Sequence, residues 1–81
     1  MKLLKNSYYH VTAPASYRKG LALYRQKKWQ EALEVFQNAY HTAPQHAQNT
    51  FKLGLCHLKL GNPQEAHFYL NQAIGLAPYN K

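Results

Sequence analysis

The 81-residue chain has no aspartate, and its only acidic side chains are Glu31, Glu34 and Glu65. Glu31 and Glu65 fall at matching helix starts, where capping and the helix dipole account for them. A glycosidase-like pair of carboxylates is therefore excluded. The single cysteine, Cys56, cannot form an intrachain disulfide, so nothing points to an oxidising compartment. It reads as an inert buried thiol rather than a nucleophile. No apolar stretch approaches the roughly 18–20 residues of a membrane span. In the opening MKLLKNSYYH, Leu3 and Leu4 stand alone between lysines, without the apolar run of a signal peptide. A cytoplasmic location is the expectation. The five histidines (His10, His41, His46, His57 and His67) include no pair at the i, i+4 spacing of a helical metal site. His57 reads as a packed core residue. The glycines are too far apart to form a phosphate loop. Catalysis, a metal and a cofactor are all expected to be absent.

What is present points to a folded chain that makes contacts. Hydrophobic residues make up 46% and aromatic residues 14%, too much for a disordered tail. Ten lysines and arginines against three acids give a formal charge of +7. That balance favours acidic peptides, nucleic acid or an anionic surface. The closing AIGLAPYNK carries no evident terminal cap and reads as part of something longer.

The strongest signal is internal. At an offset of 34 residues Ala13 meets Ala47, Gly20-Leu21 meets Gly54-Leu55, and Gln30-Glu31-Ala32 meets Gln64-Glu65-Ala66. Ala39 then meets Ala73, and Ala43-Pro44 meets Ala77-Pro78. Conservative pairs fill the gaps: Ser16 with Thr50, Tyr17 with Phe51, Arg18 with Lys52, Arg25 with Lys59, and Phe36 with Leu70. A period of this length means stacked supersecondary units. Each unit reads as two helices, over residues 15–27 and 30–42, then 48–60 and 64–76. Ala32, Leu33, Phe36, Ala39 and Tyr40 follow a 3.6-residue period. Gly61 suits a left-handed C-cap, Asn62 an N-cap, Pro63 the first helical position and Glu65 a capping box. Lys28, in the place of Asn62, is no cap, and Trp29 is expected half-buried at the turn. Pro44 and Pro78 end the second helices. Gly20 with Ala32, and Gly54 with Ala66, allow the helices of each hairpin to approach closely.

Gly20, Ala32, Phe36, Ala39 and Pro44 resemble the tetratricopeptide repeat signature, and so do Leu53, Gly54, Ala66, Leu70, Ala73 and Pro78. The resemblance covers residues 13–80. It implies an all-α helical repeat, a solenoid fragment of two antiparallel helix-turn-helix units at 13–46 and 47–80, with residues 1–12 outside the repeat. The chain departs from the family at Lys19, where a leucine is usual, at Ser16, often a tryptophan, and at His57, usually a tyrosine.

The resemblance implies a scaffold that binds extended peptides or neighbouring helices on a concave face lined by the first helix of each unit. Arg18, Arg25, Lys52 and Lys59 are expected to border that face as a basic grid, around a floor of Tyr17, Leu21, Tyr24, Phe51, Leu55 and Leu58. An acidic protein or peptide with hydrophobic anchors is the expected partner. The family's carboxylate clamp is not carried over, because Leu21 and Leu55 occupy apolar places in the groove. Two units leave stack ends uncovered, so self-association, preferably as a homodimer, is a further expectation. Its candidate surfaces are Leu70, Ile74 and Leu76, and the segment around Tyr8 and Tyr9. The alternative is an appendage that positions or dimerises a domain of a larger enzyme or assembly. Nucleic-acid binding ranks third: charge and tyrosines are compatible with it, but no recognised motif supports it.

Overall fold

The computed structural model describes residues 14–76. Residues 1–12, with Tyr8 and Tyr9, and the expected helix stop at Pro78 lie outside that range. Four helices follow one another: α1 (Ala15–Arg25), α2 (Trp29–Thr42), α3 (Ala47–Lys59) and α4 (Pro63–Leu76). There is no strand among the described residues. Helix α1 pairs with α2 and α3 with α4, and α2 packs on α3 to join the two hairpins.

The turns within the two hairpins share one hydrogen-bond pattern. After α3, the Gly61 amide donates to the Leu58 carbonyl (3.1 Å) and the Asn62 amide to that of His57 (2.8 Å), with Gly61 at φ +81°. This is the Schellman arrangement, which satisfies carbonyls that the helix end leaves free. After α1, the Lys27 amide donates to Tyr24 (2.9 Å) and the Lys28 amide to Leu23 (3.0 Å). Lys27 therefore occupies the glycine's position, at φ +62°. A side chain there crowds its own backbone, at a cost of about 1–2 kcal/mol. Both first helices stop earlier than the expected residues 27 and 60, because this turn consumes their last residues. Trp29 and Pro63 are the first residues of their helices.

The next boundary works differently. Residues preceding a proline avoid the helical region, and α2 stops at Thr42 with Ala43 already out of the helical conformation (φ −140°, ψ 74°) before Pro44. His46 then caps α3, its Nδ1 accepting from the Asn49 amide at 3.1 Å.

The core is centred where the hairpins meet. Ala32, Phe36, Leu53 and Cys56 form its buried cluster, with Tyr17, Leu21, Leu23 and Tyr24 of α1 packed against it. A Cβ on Gly20 would stand 2.5 Å from the Phe36 ring, and one on Gly54 2.8 Å from Leu70. Only glycine allows these approaches, so the repeated glycines set the helix spacing. Two polar residues of α3 are buried with this core. Asn49 Nδ2 donates to the Phe36 carbonyl at 3.0 Å, and the Thr50 hydroxyl donates to the His46 carbonyl at 3.2 Å. The first contact ties α3 to α2.

Candidate protein-binding face

The ten residues expected to form the binding face divide into three groups. Tyr17, Leu21 and Tyr24 are half-buried against the core. The Tyr17 ring lies 4.8 Å from the His46 ring and 6.0 Å from Phe36. Tyr24 meets Trp29 edge-on at 5.1 Å and Phe36 at 6.4 Å. These side chains form the wall between the units as much as a floor for a ligand. Leu55 is half-buried, whereas Phe51 and Leu58 are exposed.

The cations form the third group. Arg18 and Arg25 stand exposed on α1. Lys52 and Lys59 of α3 reach across to unit one. The Lys52 ammonium lies 4.7 Å from the centre of the Tyr24 ring, and that of Lys59 5.2 Å from Trp29. Each such contact contributes about 0.5–1 kcal/mol when exposed and holds the charge at the junction of the units. The partner rings precede their lysines by 28 and 30 residues, so no local pattern announces these pairs. The capping role of His46 was also missed, because histidine is not among the favoured N-caps.

Charge is sorted by helix. Helices α1 and α3 carry Arg18, Lys19, Arg25, Lys52 and Lys59 and no acid, while Glu31 and Glu34 lie on α2 and Glu65 on α4. The side made by the first helices is therefore purely cationic. An open cavity of about 500 Å³ is lined by Tyr17 of α1, Ala47, Gln48, Phe51 and Lys52 of α3, and Ala73 and Ile74 of α4.

Burial pushes the Tyr17 and Tyr24 phenols up, with Arg25 opposing the shift at Tyr17. Both stay neutral at physiological pH. Burial also raises the Cys56 thiol to about 11 against the opposing charge of Lys52, so it stays protonated and unreactive. His57 is stacked on Tyr69 at 5.5 Å and meets Asn62 Nδ2 at 3.2 Å. Burial lowers its pKa, with Glu65 opposing. Asn62 thus spends its amide nitrogen on the preceding helix, while its carbonyl accepts the first bond of α4 from the Ala66 amide. Among the described residues no group of histidine, cysteine and acidic side chains could hold a metal ion. No described helix is long and apolar enough to cross a membrane.

The tetratricopeptide repeat family model matches residues 12–81. The chain belongs to the tetratricopeptide repeat family. Its modules generally mediate protein–protein interaction and are typically non-catalytic scaffolds. Among curated proteins it is similar to a BBSome complex member BBS4 homolog of Drosophila melanogaster, 29% identical over 62 residues. That match covers 75% of this chain and 13% of the relative, so the chain spans only a small part of the relative's length.

Proposed function

We propose that this chain is a protein-interaction scaffold whose α1 and α3 side takes an acidic segment bearing hydrophobic anchors. The observation that carries the reading is the sorting of charge. All cations on the helices lie on α1 and α3, and all three acids lie on α2 and α4. Capping and the helix dipole account for Glu31 and Glu65, but not for the gathering of Arg18, Lys19, Arg25, Lys52 and Lys59 on α1 and α3. Exposed Arg18 and Arg25 attract the segment and set its orientation. The apolar walls of the cavity hold its anchors.

Two pools of fluorescein-labelled dodecapeptides test this, one with leucine anchors among glutamates and the other with the same anchors among lysines. Single-stranded DNA serves as a third probe. The acidic pool is expected to bind saturably and to weaken as salt rises. Arg18→Glu combined with Arg25→Glu should weaken it by at least about tenfold, or 1.4 kcal/mol, with an unchanged circular dichroism spectrum. Equal binding of both pools, or an indifferent double variant, overturns the reading. Tight binding of DNA alone moves the function to nucleic acid.

A second reading has its own support. The matched stretch is 13% of a relative whose name places it in a complex. On that reading the chain is a positioning module within a larger assembly, and the same face contacts a neighbouring subunit.

A further inference from the structure

We propose that His46 and Asn49 form a proton-operated latch between the two units. While His46 is neutral, Asn49 ties α3 to α2; when His46 is protonated, the Asn49 side chain turns back onto it and releases α2. The pair is not part of the repeat. Thirty-four residues earlier, Ala15 stands in the place of Asn49 and Thr12 in that of His46. It is an addition at the start of α3, where unit two meets unit one.

The latch is shielded from water. Asn49 is fully buried and His46 is 6% exposed. The imidazole Nδ1 accepts from the Asn49 backbone amide at 3.1 Å, so the ring proton sits on Nε2. The Asn49 side chain has two ends with different fates. Its Nδ2 donates to the Phe36 carbonyl of α2 at 3.0 Å. Its Oδ1 is buried as well, and accepts nothing among the described residues. A buried acceptor without a donor is rare in folded proteins and costs stability. This one belongs to the residue whose own amide already meets Nδ1.

A proton from solvent adds to the ring at Nδ1. That nitrogen then accepts nothing, and its new N–H confronts the Asn49 amide. The positive charge also stands at the N-terminus of α3, where the helix dipole disfavours it. The surroundings supply no counter-charge. From α1 the Tyr17 ring packs edge-on against the imidazole at 4.8 Å, and its phenol, pushed up by burial, is neutral. The turn after α2 offers the Ala43 carbonyl, which accepts from the His46 backbone amide at 3.1 Å. The Thr50 hydroxyl of α3 donates to the His46 carbonyl. Burial by itself lowers the pKa of the ring. The acceptor that answers the new N–H is Asn49 Oδ1. Taking it up turns the amide away from Phe36, and the side-chain bond from α3 to α2 is lost. The proton thus governs how firmly unit two sits on unit one.

The test is an NMR titration of the full, isotope-labelled chain, carried down through the ordinary histidine value near 6.5. Neutral His46 is expected as the Nε2–H tautomer. The Asn49 side-chain amide signals should shift with the His46 midpoint, while the helical circular dichroism signal holds. His46→Asn, which does not titrate, should abolish that shift. His57→Gln is the control and should preserve it, since the His57 ring meets Asn62 within unit two. Asn49→Leu keeps the backbone amide and removes Oδ1, so His46 should protonate less readily and its midpoint should fall further. Asn49 signals that stay fixed through the titration overturn the latch. So does an unmoved His46 midpoint in Asn49→Leu, or helix content lost at the same midpoint.

Discussion

Replacing Gly54 by alanine sets two opposing effects against each other, and the structure gives the sign. Inside a helix alanine is favoured over glycine by about 0.8–1 kcal/mol, so on propensity alone Gly54→Ala should stabilise α3. The new Cβ, however, would stand 2.8 Å from Leu70 Cγ and Cδ2 and 3.2 Å from the Leu70 backbone nitrogen. Relaxed carbon contacts lie near 3.5–4.0 Å, so a shift of close to 1 Å is required. Turning the Leu70 side chain relieves the first two contacts but not the third, which belongs to the backbone of α4. The helices must part slightly, and overpacking of this kind costs about 1–3 kcal/mol. The net expectation is a loss of roughly 1 kcal/mol, or a melting temperature lower by about 4–8 °C for a domain of this size. Gly54→Leu should be far worse. Gly75→Ala is the control, since a Cβ there meets nothing within 4 Å and only the propensity gain remains. Thermal melts followed by circular dichroism read all three. If Gly54→Ala raises the melting temperature as Gly75→Ala does, glycine is not what sets the spacing of α3 and α4.

Two further outcomes follow from the turns. Lys27→Gly removes the cost of a side chain at φ +62° but loosens the unfolded chain by about 0.4–1 kcal/mol. A net gain of about 0.5–1 kcal/mol in urea denaturation is expected, and a loss would refute the strain at that turn. Burial lowers the pKa of His46, and its Nδ1 can accept from Asn49 only while unprotonated. Its contribution is therefore complete above the unfolded-state value near 6.5 and is lost as pH falls through the lower folded-state value. His57 shifts in the same direction. Stability should drop between pH 7.5 and pH 5, and His46→Asn, which keeps an acceptor that does not titrate, should reduce that drop. An identical pH profile for the variant would remove His46 from the account.

The repeat was legible because its residues act locally or by size alone. Gly61, Pro63 and Pro44 each mark a boundary through their own backbone chemistry. Gly20, Ala32 and Ala66 are small for a reason visible in the 34-residue comparison. The helix ends were harder to place. Lys27 adopts a conformation it does not prefer, and only the hydrogen bonds around it reveal that unit one uses the same turn as unit two. The candidate face was legible in its charges but not in its contacts. Seven-residue spacing put Arg18 and Arg25 together, yet nothing local tells that Lys52 and Lys59 lie over rings of the preceding unit.

That contact pattern changes what the repeat means at its two ends. A strict repeat would present the same surfaces at each end and could extend either way. Here two of the three departures from the family pattern, Ser16 and Lys19, fall on the first unit. Lys19 stands in for Leu53, Ala22 for Cys56 and Ser16 for Thr50, and the first two are exposed. On the second unit Phe51, Leu58 and Ile74 are all exposed. Leaving such side chains in water forgoes about 25 cal/mol for each Å² of apolar surface they could bury. The departures at Ser16 and Lys19 thus make the two units unlike among the described residues, with Lys19 and Ala22 exposed on the first and Phe51, Leu58 and Ile74 exposed on the second.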